Sequence, residues 1–376
     1  MHPRYISSSR GSWEIGLVFS QSGRLANIGS SQMEGAILAI DEINAAGGID
    51  GLPLIPVIRD DTSDPARFLH LSDLLLREEG INIVFGGSSP DVRRAATPLF
   101  ERRNGLLWYS GLGDGFDFSP SVFCFGLLPN QACGCLLREI GGAGAKDIFI
   151  LFRDDLLSHG LRDCLAREVE RTGCVLLGES LISDQPADVS AAMARVQASN
   201  AKKVLLLMSG SDSITTLQAL RRHRQGPIIA TFAVSEKDLT VLEDESAEGL
   251  LTVSTYCSSV TSPVADAFNA RFAKRYGRAA NPNAFSEASY SAVCLFALSL
   301  ERSGSVDSDD IRNALLGLSL RGPQGQVVVD AETNCAELWP RVLRWGADRR
   351  FEIVAEPDCS LAPDPFLIGH IDLGRF

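Results

Sequence analysis

The chain has 376 residues, of which 45% are hydrophobic and 22% charged, and its formal net charge is -12. This is the balance of a globular protein long enough for two or three domains, or for one two-lobed unit. The acidic excess argues against direct nucleic-acid binding, because phosphates call for clustered Lys and Arg; no apolar run approaches the roughly 18 residues of a membrane helix, so no membrane span is expected.

At the N-terminus, a secretory leader would place an apolar core where residues 7–12 read SSSRGS. The expectation is a cytoplasmic protein, or a periplasmic one if a leader has been removed. The segment WEIGLVFS predicts a first strand over 13–20, followed by a turn at Gln21-Ser22-Gly23. Ala36, Ile37, Ala39, Ile40 and Ile43 form the apolar side of a helix over 28–46, which Gly47-Gly48 stops. A second strand is predicted over 54–59. Asp64 then reads as an N-cap with Pro65 in the first turn of a helix reaching about residue 79.

The apolar run 81–85 predicts a buried parallel strand ending in Gly86-Gly87-Ser88-Ser89. Pro90 follows, and Val92, Ala95, Ala96, Leu99 and Phe100 give helical spacing over 91–103. A further strand over 106–109 ends in Tyr109-Ser110-Gly111. Strands alternating with helices imply right-handed βαβ units and a parallel sheet. Two strands ending in Ser and Gly make a candidate rim, because ligands in open parallel sheets sit outside the carboxyl ends of strands. There Gly admits close approach to the backbone and Ser offers a hydroxyl at a helix N-terminus. The same residues also suit ordinary strand-to-helix turns.

A strand over 121–126 and a helix over 131–140 lead to a restart of the pattern. Strands are predicted over 147–152, 175–182, 204–208, 227–232 and 250–255, and helices over 160–172, 187–199 and 213–224. Helices over 262–276, 285–303 and 307–318 and late strands over 326–329, 341–345 and 351–354 complete the chain.

The nine cysteines are odd in number and several lie in apolar runs, which reads as free thiols with no disulfide. Cys133-Gly134-Cys135 does not have zinc-ligand spacing and the five histidines form no cluster, so no metal is expected. GxGxxG is absent after the first strand, as are the P-loop and the G-x-S-x-G elbow. His159 beside Asp154 and Asp155 reads as a loop histidine at a helix start. Glu236 after Ser235 reads as a helix cap or an ammonium ligand. No catalytic residues and no cofactor are expected; a two-lobed α/β chain of this kind fits a small-molecule binder working by hinge closure.

The segment GGIDGLPLIPVIRDDTSDPARF resembles a signature of type I solute-binding proteins, the branched-chain amino acid and amide receptors. ESAEGLLT and SEASYSAVCLFALSLERSG are similar to further segments of that family. GLVFSQSG, FDFSPSVFCFGLLPNQ and APDPFLIGHID resemble the amide sensors that control bacterial aliphatic amidase operons. The resemblance implies an α/β fold of two doubly wound parallel-sheet lobes joined by a three-crossing hinge, with the ligand in the interlobe cleft. The expected lobes are 13–127 plus 256–329 and 128–255 plus 330–376. By position, it implies ligand-binding residues Ser88, Ser89, Pro90, Tyr109, Ser110 and Gly111 in the first lobe. In the second it implies Asp155, Leu157, Ser209, Gly210, Ala233 and Val234.

Amide sensors place tyrosines at the positions of Ser88, Asp155 and Leu157, and only Tyr109 keeps its aromatic ring here, which implies a larger and more polar pocket. The general amino-acid receptors hold a carboxylate near the positions of Ser89 and Ser110 and an ammonium on an acid, a role open to Asp155 or Glu236. The expected function is a receptor for a short amide, urea-like or amino-acid-like ligand that signals by closure to an RNA-binding antiterminator-type regulator, with a homodimer among the expected states. The alternative is the substrate-binding protein of an ABC transporter for amino acids, amides or urea.

Overall fold

The computed structural model describes residues 11–115, 118–142, 147–183, 185–221, 227–232, 234–240, 242 and 247–367. The chain opens with β1 (Trp13–Phe19), α1 (Ala26–Ala45), β2 (Leu54–Asp60) and α2 (Pro65–Leu74), the last running into one wide turn over Leu75–Glu79. β3 (Ile83–Gly86), α3 (Pro90–Arg103), β4 (Leu106–Tyr109) and β5 (Val122–Cys124) follow. Next come α4 (Pro129–Gly142), β6 (Asp147–Phe152), α5 (Leu156–Glu168), β7 (Val175–Leu181), α6 (Pro186–Ser199) and β8 (Lys203–Leu207). α7 (Ser211–Arg221), β9 (Ile228–Thr231), α8 (Glu236–Leu239) and β10 (Leu251–Ser254) lead to three helices, α9 (Pro263–Tyr276), α10 (Ala284–Ser303) and α11 (Ser308–Leu315). The last strands are β11 (Ser319–Gly322), β12 (Gly325–Val329), β13 (Ala336–Glu337), β14 (Arg341–Trp345) and β15 (Phe351–Ala355).

These elements divide into two compact units. The described residues within Met1–Leu112, Asp117–Gly126 and Ser262–Leu338 form the first, and those within Gly113–Phe116, Leu127–Thr261 and Trp339–Phe376 the second.

In the first unit a parallel sheet has the order β2-β1-β3-β4-β5. The order reverses between β1 and β3, which is the topological switch point of an open α/β sheet. Trp108 at the centre stacks on Phe85 and Phe125, at 5.2 and 5.5 Å between ring centroids, and meets Phe296 of α10 edge-on. Helices α1 and α10 lie close together: a Cβ at Gly35 would overlap the backbone carbonyl of Ser286. As the sequence predicts, Asp64 caps α2, its Oδ1 accepting from the Ala66 N–H at 2.9 Å with Pro65 in the first turn. A small antiparallel sheet, β11-β12-β13, completes the unit.

The second unit carries a sheet of order β15-β14-β10-β9-β8-β6-β7. Five neighbouring strands, β10 to β7, are parallel, and β14 and β15 add to one edge in antiparallel sense. Its switch point lies between β6 and β8, whose last residues, Phe152 and Leu207, stand beside one another.

Several boundaries differ from the sequence reading. The helix expected from residue 160 starts at Leu156, because Asp155 supplies the N-cap. The helix expected over 307–318 ends at Leu315, since Ser319–Gly322 leaves it to pair with β12. The four-residue helix α8 was missed because it is shorter than any apolar period.

Candidate functional site

In the first unit the predicted rim residues fall at the ends of β3 and β4 and at the start of α3. They are linked by a side chain that the sequence reading passed over, Gln32 of α1, which is fully buried. Ser88 Oγ donates to Gln32 Oε1 at 2.8 Å. Gln32 Nε2 donates to the Gly87 carbonyl at 3.3 Å and to Ser110 Oγ at 3.1 Å. Ser110 Oγ also shares a hydrogen bond of 2.7 Å with Ser289 Oγ of α10. One amide therefore ties together α1, the β3–α3 turn and the end of β4, and through Ser289 it reaches α10. Each polar group in this buried cluster is matched, which is what burial demands.

Ser89 is the N-cap of α3, its hydroxyl accepting from the Val92 N–H at 3.5 Å, and Pro90 occupies the first helical position. Both serve the helix start, the ordinary reading of these residue types. Tyr109 is fully buried, donates its hydroxyl to the Leu112 carbonyl at 2.6 Å and carries the Arg93 guanidinium 5.5 Å above its ring. Gly111 has a packing reason as well: a Cβ there would stand 2.6 Å from the Tyr109 hydroxyl. Beside this group, at the end of β1, Ser20 Oγ donates to Asp61 Oδ1 at 2.6 Å, and the Ser63 N–H donates to the same oxygen at 2.9 Å. Burial holds the Asp61 carboxyl above its usual range.

In the second unit the candidates again lie at strand ends. Asp155 caps α5, its Oδ1 accepting from the Ser158 N–H at 2.8 Å; Leu157 is buried in the first turn of that helix. Ser158 Oγ donates to the Leu207 carbonyl and joins the α5 start to the end of β8. Ser209 is buried ahead of α7, and Gly210 takes a φ of 64°, a left-handed conformation that suits glycine. Arg153, at the end of β6, and Asp212, in the first turn of α7, form an ion pair of 3.4 Å with both side chains less than a fifth exposed. The sequence reading named neither. Ala233 lies outside the described residues, while Val234 is buried, its carbonyl 3.4 Å from Thr252 Oγ1.

Glu236 is not the cap of α8. Ser235 is, and Asp238 Oδ2 accepts from both the N–H and the hydroxyl of Ser235, at 3.0 and 2.8 Å. The Glu236 carboxyl is instead buried at 2% exposure, with its Oε1 3.4 Å from the Ser258 N–H. Burial pushes its pKa up to about 7, and the Asp238 charge acts in the same direction. A buried carboxyl so perturbed, in the first turn of α8, marks Glu236 as a candidate for a functional role. His159 lies within α5 and is partly exposed, with Nε2 2.9 Å from Asp154 Oδ1. Among the described residues no group of three or more His, Cys, Asp or Glu is arranged to hold a metal, and no helix is long and apolar enough to cross a membrane.

Comparison with known proteins agrees with this architecture. Residues 13–370 match the family model described as periplasmic binding protein domain. A leucine-, isoleucine-, valine-, threonine- and alanine-binding protein from Pseudomonas aeruginosa is 22% identical over 348 residues, 89% of this chain and 90% of that protein. The branched-chain amino acid transporter substrate-binding protein of Streptococcus pneumoniae, solved with isoleucine, superposes with a TM-score of 0.81 at 19% identity, over 94% of this chain and 100% of that one. A solute-binding protein of an ABC transporter from Rhodopseudomonas palustris, solved with benzoate, gives a TM-score of 0.84 at 16% identity, over 94% and 99%. Likenesses at these identities establish the fold, that of a type I periplasmic binding protein with parallel α/β sheets. With nearly the whole chain matched by the family model, this protein is a member of the periplasmic binding protein domain family.

Proposed function

We propose that this protein is a non-catalytic solute receptor of the ABC-transporter class, taking a small carboxylate- or amide-bearing molecule. The observation that carries this reading is the buried constellation around Gln32, which fixes Ser88 and Ser110 at the ends of β3 and β4, next to the start of α3. Hydroxyls and helix-start N–H groups at a switch point suit an anionic or amide oxygen. The carboxylate is also what isoleucine and benzoate, the ligands of the two solved relatives, have in common. In the second unit Glu236 is the acid we assign to a ligand ammonium, rather than Asp155, whose carboxylate caps α5. The remaining named residues of both units, Ser89, Pro90, Tyr109, Gly111, Leu157, Ser209, Gly210 and Val234, support these groups by packing and capping.

Two functional readings stood open from the sequence. The two solved relatives described above are named as transporter binding proteins, which favours the transporter reading, and the family description favours a periplasmic setting over a cytoplasmic sensor. The regulator partner and the homodimer belong to the sensor reading, which rests on short resemblances to amide sensors alone. Ligand-driven closure is common to both readings.

The test is a thermal-shift screen of the purified protein against aliphatic amino acids, short amides, ureas and aromatic carboxylates, followed by calorimetry of the hits. A ligand present at about 100 times its dissociation constant adds about 2.7 kcal/mol. Ser88→Ala and Ser110→Ala should each weaken a hit at least several-fold while the variants stay folded. Unchanged affinity in both, or turnover of an amide by the wild type, contradicts the proposal.

A further inference from the structure

None of the nine cysteines is in a disulfide in the structure, and among the described residues Cys124 and Cys335 stand apart from the rest in their geometry. Cys124 is the last residue of β5, and Cys335 directly precedes β13. The two pair across an isolated parallel bridge, and the Cys124 N–H donates to the Asn334 carbonyl at 3.0 Å. Paired residues on neighbouring strands have Cα atoms about 5 Å apart with side chains on one face. That falls within the roughly 4.4–6.8 Å that a disulfide spans. Arg93 Nη1 approaches Cys124 Sγ at 3.7 Å, and the Cys335 thiol points at the Thr333 carbonyl at 3.4 Å.

We propose that Cys124 and Cys335 are a disulfide-forming pair, joined when the chain meets a disulfide oxidant as it folds. In the reaction one cysteine, as thiolate, attacks a sulfur of the oxidant disulfide, forming a mixed disulfide and releasing the first oxidant thiolate. The other cysteine loses its proton and attacks the protein sulfur of the mixed disulfide. The Cys124–Cys335 bond forms, the second oxidant thiolate leaves, and the two released protons return to the two oxidant thiolates. Two protein thiols are oxidised by two electrons and one oxidant disulfide is reduced to two thiols. Arg93 is placed to stabilise the Cys124 thiolate.

Both cysteines are only 4% exposed, and the Cys124 thiol together with burial holds the Cys335 pKa well above the ordinary thiol range. Exchange on the native protein is therefore slow in both directions. The bond forms on the folding chain and is then shielded from reductants. Its position gives it a structural consequence, because the chain leaves the first unit after Leu112, Gly126 and Leu338, and the two cysteines stand just before the last two of these exits. The bond ties together the first-unit ends of those two passages.

The experiment is refolding of the reduced, denatured protein in buffers of reduced and oxidised glutathione at a series of ratios, then alkylation, proteolysis and mass spectrometry. The expected result is a cross-linked peptide carrying Cys124 and Cys335, with alkylated thiols falling from nine to seven as two are consumed. The oxidised protein should melt several degrees above the dithiol form, and glutathione should reduce it only on a timescale of unfolding. Cys335→Ser should leave all its remaining thiols free. Because the cross-link is mapped in the wild type, the result stands even if that variant folds poorly. Nine alkylated thiols at every ratio would overturn the proposal, as would a cross-link confined to the other close pair, Cys133 and Cys164, with Cys124 and Cys335 both alkylated.

Discussion

Replacing Glu236 by Gln removes a strongly perturbed buried acid of the second unit without changing its shape. The carboxyl is 2% exposed and its pKa is raised from the ordinary 4.5 to about 7. The folded state therefore holds its proton over a range in which the unfolded chain has released it, and stability falls as pH rises wherever the folded state binds more protons. The sign is unfavourable: the contribution is zero below about pH 4.5, grows through neutrality and is complete above about pH 7. At about 1.4 kcal/mol per pH unit this amounts to about 3 kcal/mol. Urea denaturation of wild type and Glu236→Gln across pH 4.5 to 8 is the assay. The curves should nearly coincide at the acid end and part until the variant is more stable by about 2–3 kcal/mol at pH 8. Other titrating groups contribute equally to both proteins and cancel in the difference. A difference that stays constant over that range would refute the reasoning and show that the carboxyl is solvated or paired in solution.

Gln32→Leu should destabilise the first unit by about 1–3 kcal/mol for each buried polar group left unpaired, and should abolish ligand binding even where the variant stays folded; chemical denaturation and calorimetry read the two effects separately. Gly35→Ala forces a methyl against the Ser286 carbonyl, a backbone atom of α10 that cannot swing aside, so it should cost at least about 1–3 kcal/mol, read as a lower melting temperature. Arg162→Ala breaks a pair with Glu179 whose hydrogen bonds are both 2.7 Å but which is about one-third exposed, so the loss should stay near or below about 1 kcal/mol and shrink with added salt.

What could be read from the sequence was what is decided locally. The Asp64-Pro65 helix start needs only its own residues, and the alternation of short apolar runs with helical stripes gave the parallel α/β class. Of the antiparallel hairpin of β11 and β12, the second strand was read but β11 was missed, because it is only four residues long and mostly solvent-facing. That Asp155 caps a helix could not be read locally, because the cap depends on the helix starting at Leu156 rather than Gly160. Gln32 left a signal that went unused: it stands four residues after Ile28 and four before Ala36, inside the apolar stripe of α1, where a polar side chain has to find partners. Those partners, Ser88 and Ser110, come from loops more than fifty residues away, and no local pattern specifies them.

The central claim, that the strand-end constellation around Gln32 serves capture of a small carboxylate- or amide-bearing solute, is tested most directly by calorimetric titration. The wild type and Ser110→Ala would be titrated with the best ligand from the screen. The account predicts a single saturable site in the wild type, weakened at least several-fold in the variant, which loses about 1–3 kcal/mol of stability from the buried partners left unpaired but stays folded at the titration temperature. Equal affinity in both proteins, or no binding by any amino acid, amide or carboxylate tried, would contradict it.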